Sequence, residues 1–233
     1  MKQEPKISQT LREIKERVDL LEGLLKDQDL KNYIILEGKS YGTYSYPDLL
    51  VSMEKTHFDN NWHQAHEELN KENEFMLTIR QYIDFINLLK SGNAFDGRGN
   101  KVHNNKLDSI LDEILTVRDP WRAEHLDARF DVNFINYNHR VINGKLEAQT
   151  SEPLEDCLMT DKTSGISLDY WLKSATKQGL PPVNTPDGDL WYWHPRNDTV
   201  AGFYAGSSRV YLFCNKNPLG SDASLGVRPA RKK

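Results

Sequence analysis

The run RVYLFCN, residues 209–215, decides how the chain is read. Val210, Leu212 and Cys214 recur at period two and suit the buried face of a strand. Arg209, Tyr211, Phe213 and Asn215 then point the other way. Arg, Tyr, Phe and Asn together on one face is the composition of a contact surface. A second hydrophobic layer over Tyr211 and Phe213 would fit the same alternation, and the run alone does not choose between the two.

The segments around it are also strand-like. VAGFYAGS, residues 200–207, separates Ala201, Phe203 and Ala205 from Gly202, Tyr204 and Gly206. LWYWHP, 190–195, is an aromatic strand that Pro195 ends or pushes to an edge, after a turn at Asp187-Gly188. Residues 215–222 form a polar loop, and 223–228 a closing strand. Further upstream, 166–178 reads as a helix with Ser167 as its N-cap and Gly179 as its stop. FINYNHRVINGKLEA, 134–148, alternates through a two-residue Asn143-Gly144 hairpin turn. WRAEHLDARF, 121–130, reads as a turn into a short helix.

The first half reads as mainly helical. Ile7, Leu11, Ile14, Val18, Leu21 and Leu25 form an a/d seam over 8–27, with Thr10 and Glu13 as a capping box. Residues 32–46 suggest a hairpin around Gly38 and Gly42, and 47–55 a short helix with Pro47 at its first position. Residues 62–90 predict one long helix that stops at Gly92. Residues 93–105 are a loop without the acidic spacing of an EF-hand, and 106–117 predict another helix.

Signals for chemistry are sparse. GKSYG, 38–42, matches G-x-S-x-G, but a strand-like run follows where a nucleophile elbow needs a helix. His63, His66 and Glu67 can share a helix face, which reads as a solvated face because no third ligand can be placed. His139, in a strand, reads as a packed histidine. Cys157 and Cys214 cannot build a disulfide framework or a four-cysteine zinc site. A metal- or histidine-dependent enzyme working through His139 or the His63/His66 pair is the minority reading.

The chain has 233 residues, 38% hydrophobic, enough to bury a core as one large domain or two small ones. Its net charge of −4 argues against a strongly cationic nucleic-acid binder, and only RPARKK forms a short basic tail. No 18-residue apolar run and no secretory h-region is visible. The expected location is cytoplasmic by default, with surface display by another route left open.

EPLEDCLMTDKTSGISLDYWL (152–172), LWYWHPRNDTVAGFYA (190–205) and SLGVRPAR (224–231) resemble the variable proteins of archaeal diversity-generating retroelements, close to the AvpA group. DPWRAEHLDARF (119–130) and NYNHRV (136–141) resemble the same group, so the likeness covers roughly 118–233. LGVR is also similar to the strand that closes C-type lectin folds of the formylglycine-generating-enzyme type. The resemblance implies that an error-prone reverse transcriptase copies a template repeat, mutates its adenines, and replaces the 3′ end of the gene. AAY codons are the typical targets. The positions reachable from them are Tyr204, Gly206, Ser208, Arg209, Tyr211, Phe213, Asn215, Asn217, Leu219, Gly220, Asp222 and Ser224. Lys216 falls outside that set. Val210, Leu212, Cys214, Leu225 and Val227 would be fixed scaffold.

The lectin tripeptides that hold calcium and sugar are absent, and a lone Cys214 cannot supply the cysteine pair of formylglycine-generating chemistry. The resulting expectation is an α+β protein: a helical portion, 1–117, packed on a C-type lectin-like domain, 118–233, with a variable region at about 196–228. It binds a macromolecule, a protein first, without catalysis, cofactor, metal, nucleic acid or membrane insertion. A structural role, with the 7–25 seam driving assembly, is compatible with binding.

Overall fold

The structure, a computed structural model, describes residues 11–12, 14–18 and 29–233. In the first helix, α1, the described residues are 11–12 and 14–18, with Leu11, Ile14 and Val18 exposed. The other seam positions (Ile7, Leu21, Leu25) and the Thr10–Glu13 box lie outside the described residues.

The chain then forms β1 (Tyr33–Leu36), β2 (Lys39–Tyr41), β3 (Tyr44–Tyr46) and β4 (Leu49–Ser52). Only β2 and β3 make the expected hairpin, turning at Gly42 with φ +68°, while β1 pairs with β4. The helix expected over 47–55 is instead the strand β4. All four of its residues are buried between β1 and the chain's last strand, and such a doubly paired strand reads as a continuous apolar run.

The single helix expected over 62–90 is two: α2 (Trp62–Lys71) and α3 (Ile79–Ser91), separated by β5 (Phe75–Met76). Each has its own capping box, Asn61 with Gln64 and Thr78 with Gln81, and Asn73 turns the chain between them at φ +59°. Gly92 closes α3 in the left-handed conformation, as expected. α4 (Asn104–Leu115) follows.

The expected short helix at 121–130 is the long strand β6 (Arg122–Asp131). It lies between two neighbours, and its charged residues Glu124 and Asp127 are buried, so its pattern mimics a solvated helix. β7 (Phe134–Ile142) and β8 (Lys145–Pro153) form the predicted hairpin, with Asn143 and Gly144 at φ +51° and +74°. β9 (Lys162–Ile166) leads into α5 (Leu168–Ser174), which Ser167 caps and which ends short of 178. β10 (Leu190–Trp193), β11 (Thr199–Ala205), β12 (Val210–Lys216), β13 (Leu225–Gly226) and β14 (Pro229–Lys232) complete the chain.

The fold is α+β. The main sheet runs β8-β7-β6-β11-β12-β10-β9, with β13 beside β6, and a second sheet runs β1-β4-β14-β5. The RPARKK ending is therefore no free basic tail. Arg228 is fully buried, donating to Glu124 at 2.9 Å, Glu113 at 3.2 Å and the Met53 carbonyl at 2.8 Å, and Arg231 pairs with Asp29.

One hydrophobic core joins Ile34, Val51, Phe85 and Ile110 to Phe130, Phe203, Leu212 and Ala230, so it runs without a break across residues 117 and 118. A smaller cluster packs Trp62, Ala65 and Leu69 of α2 against Met76, Val200 and Val227. No helix among the described residues is long and apolar enough to cross a membrane.

Candidate functional site

β12 splits as its sequence indicates. Val210, Leu212 and Cys214 are buried in the main core, while Tyr211, Phe213 and Asn215 stand half-exposed on the other face. Among the described residues, the neighbours of Tyr211 and Phe213 on this face are other aromatic side chains. β10 runs parallel to β12 in a register that sets Trp191 beside Tyr211 and Trp193 beside Phe213. The Trp193 and Phe213 rings stack at 4.5 Å and 13°. Phe213 also stacks on Tyr211 at 5.6 Å and meets the edge of Tyr204 at 4.8 Å. Trp121 stacks on Tyr204 at 5.6 Å, and the Arg209 guanidinium lies 5.0 Å from the Trp191 ring. Each such aromatic pair is worth about 0.5–1.5 kcal/mol, so the face is pre-ordered before anything binds. The Trp191 indole N–H has no hydrogen-bond partner among the described residues. Tyr211 and Ser208 share a hydroxyl contact of 3.1 Å at the upper rim.

The predicted contact residues divide into three groups. Tyr204, Arg209, Tyr211 and Phe213 share this face, with Ser208 at its rim, and Asn215 follows at a register shift in the β11–β12 pairing. Asn217, Leu219, Gly220, Asp222 and Ser224 lie in the loop that follows, where Leu219 is 68% exposed. Two of the loop's side chains hold the loop itself: Asn217 Oδ1 accepts from the Leu219 N–H, and Asp222 Oδ1 from the Ser224 N–H. Gly206 stands apart, because it is buried and a Cβ there would lie 2.4 Å from the Tyr211 ring. A side chain at 206 has to displace Tyr211. The expected scaffold positions Val210, Leu212, Cys214, Leu225 and Val227 are all buried.

Sequence reasoning missed Trp121, Trp191 and Trp193 as members of the face. The alternation of LWYW carried a signal for the two in β10, since Tyr192 between them is fully buried. Their register with β12 required the parallel pairing, which no local pattern encodes.

The same face of the sheet is covered at its other end. Val200 has the strand parity of Gly202 and Tyr204, and it packs against α2. There the buried residues are ionisable. His66 from α2, Asp127 from β6 and His139 from β7 are all buried, with one ligand atom from each lying within 4.8 Å of the others. His139 Nδ1 is 2.5 Å from Asp127 Oδ1, and the His139 backbone N–H donates to Asp127 Oδ2 at 3.0 Å. His66 Nε2 stands 3.6 Å from Asp127 Oδ1, beyond hydrogen-bonding distance, and neither nitrogen of His66 has a hydrogen-bond partner among the described residues. An unsatisfied buried polar group costs about 1–3 kcal/mol. Trp62 sets ring edges against both imidazoles, at 4.3 and 4.8 Å.

Burial pushes His66 down to about 3, so its ring is neutral. Burial works to raise the Asp127 carboxyl, but the neighbouring His139 and His66 imidazoles and the hydrogen bonds from His139 outweigh it and hold the group below its ordinary value. His66 is thus not on the solvated face expected for it. Its ligand-type neighbours are Asp127 and His139, and His63 and Glu67 are not in that cluster. Nearby, Lys216 Nζ lies 3.3 Å from His125 Nδ1, and burial lowers the amine to about 7. Cys157 and Cys214 are both free and buried. Comparison of the chain with family models, curated proteins and solved structures gives no match.

Proposed function

We propose that this is a non-catalytic ligand-binding protein with a C-type lectin-like fold, a variable protein of the retroelement-diversified class. Its ligand sits on the aromatic face of β10, β11 and β12. The observation that carries the reading is the split of β12: Leu212 and Cys214 are fully buried while Tyr211 and Phe213 face outward in an uncovered aromatic cluster. One parity holds the core and the other is free to change. The pairing of β14 with β4 and the burial of Arg228 in LGVR fit a lectin-like closing strand. Aromatic and Arg side chains are those enriched at the centres of protein interfaces, so the ligand is a protein.

The test is a display library of the whole chain, randomised at 209, 211, 213 and 215. It is expected to yield folded binders to unrelated proteins, while randomising 210, 212 and 214 is expected to yield misfolded chains. Equal loss of folding in both libraries would overturn the reading.

Self-association through α1 is favoured by a separate observation, since Leu11, Ile14 and Val18 are 62%, 53% and 45% exposed. Sedimentation should show a concentration-dependent oligomer that Leu11→Asp abolishes, and a monomer at every concentration would remove this part. An oligomer would present several copies of the aromatic face and raise avidity.

A further inference from the structure

We propose that His66 Nε2, Asp127 Oδ1 and His139 Nδ1 hold one zinc ion as a structural centre that pins α2 onto β6 and β7. The inference is independent of the aromatic face and of what that face binds.

Three rigid elements each contribute one ligand. His66 sits mid-helix in α2, Asp127 in β6 and His139 in β7, all fully buried. Two imidazoles and one carboxylate form a donor set that suits zinc, whereas calcium and magnesium prefer oxygen ligands alone. Hydrogen-bonded support is in place for Asp127, while His66 Nδ1 has no hydrogen-bond partner among the described residues. The His139 N–H fixes Asp127 Oδ2, the Asp127 N–H donates to the Leu77 carbonyl at 2.8 Å, and Trp62 wedges its ring against both imidazoles.

The feature that points to an ion is His66. It is fully buried, it has no hydrogen-bond partner among the described residues, and its Nε2 faces the Asp127 oxygen across a 3.6 Å gap. A buried imidazole with nothing to bond to is a rare feature that asks for an unseen partner. Zinc with bonds of about 2.0–2.2 Å sets its tetrahedral ligands roughly 3.3–3.5 Å apart. The His66–Asp127 spacing of 3.6 Å is close to this, and the ligand atoms, which lie within 4.8 Å of one another, have to draw together around the ion. The 2.5 Å His139–Asp127 contact has to open by somewhat under about 1 Å, and the proton held between His139 Nδ1 and Asp127 Oδ1 is released to solvent as the metal takes its place. A water completes the fourth position.

Because the site is closed, metal enters as the chain folds. The experiment therefore unfolds the whole protein in guanidinium with a chelator and refolds it with or without zinc sulfate. Elemental mass spectrometry and thermal unfolding then give the readout. About one zinc per chain is expected to survive desalting, with a Tm several degrees above that of the metal-free protein. His66→Phe fills the same volume with an apolar ring and is expected to cut bound zinc at least about tenfold. Cobalt in place of zinc is expected to give a ligand-field spectrum of nitrogen and oxygen donors without a thiolate band, and this reading needs no variant to fold. Less than about a tenth of an equivalent of zinc in the refolded wild type would overturn the proposal. Full zinc content in His66→Phe, or a thiolate band from Cys157 or Cys214, would do the same.

Discussion

The two ends of one sheet face invert the usual rule of burial. At the β10–β12 end the face is uncovered, and it carries Trp191, Trp193, Tyr204, Tyr211 and Phe213. At the β6–β7 end the face lies beneath α2, and it buries His66, His125, Asp127 and His139. A chain selected for stability alone would exchange these sets. Half-exposed aromatic rings forgo part of a burial worth about 25 cal/mol per Å2, and buried ionisable groups lose hydration. Each inversion fits a requirement other than folding: the proposed partner contact at the open end, and the proposed metal centre at the covered end.

The contrast can be broken by mutation. Trp62→Ala removes the lid side chain of the covered end and should cost about 3–5 kcal/mol in urea unfolding. A loss no larger than that of an open-end aromatic would mean α2 is not integral to the core. Leu212→Ala, directly beneath the aromatic face, should cost about 2–5 kcal/mol. Tyr211→Ser, one residue away on the open side, should cost about 1 kcal/mol, most of it from lost ring contacts. Equal costs at 211 and 212 would erase the distinction on which diversification depends.

The smallest effect concerns Lys216, whose partial access to water weakens it. Its amine is lowered from 10.5 to about 7 in the fold, so between these values the unfolded chain binds the extra proton and stability rises with pH. Lys216→Met should flatten that rise, seen as the wild-type minus variant Tm difference from pH 7 to 10. An unchanged slope would place the ammonium in water.

Legibility followed how local each signal was. The Asn143-Gly144 hairpin, the Ser167 cap, the Gly92 stop and the β12 alternation are encoded within a few residues and were readable. β4 was not readable, because a short run buried on both faces has no period to distinguish it from a helix. β6 was misread because its carboxylates and His125 are buried by partners far along the chain, such as Arg228 for Glu124. The break between α2 and α3 was signalled by two capping boxes, which the longer apolar stripe obscured. Half of the aromatic face was visible in β11 and β12. Trp191 and Trp193 joined it only through the parallel register of β10, and Asp127 met His139 through the neighbouring strands β6 and β7 and His66 only through the contact of α2 with the sheet.

The measurement that bears most directly on the central claim is the DNA sequence downstream of the gene. A near-copy of the codons for about residues 196–228 is expected, next to a reverse-transcriptase gene. Its mismatches should fall at adenines in the codons for Tyr211, Phe213, Asn215 and the following loop, and should spare Val210, Leu212, Cys214 and Gly206. Mismatches at the buried positions, or the absence of both the copy and the reverse transcriptase, would contradict diversification of this face.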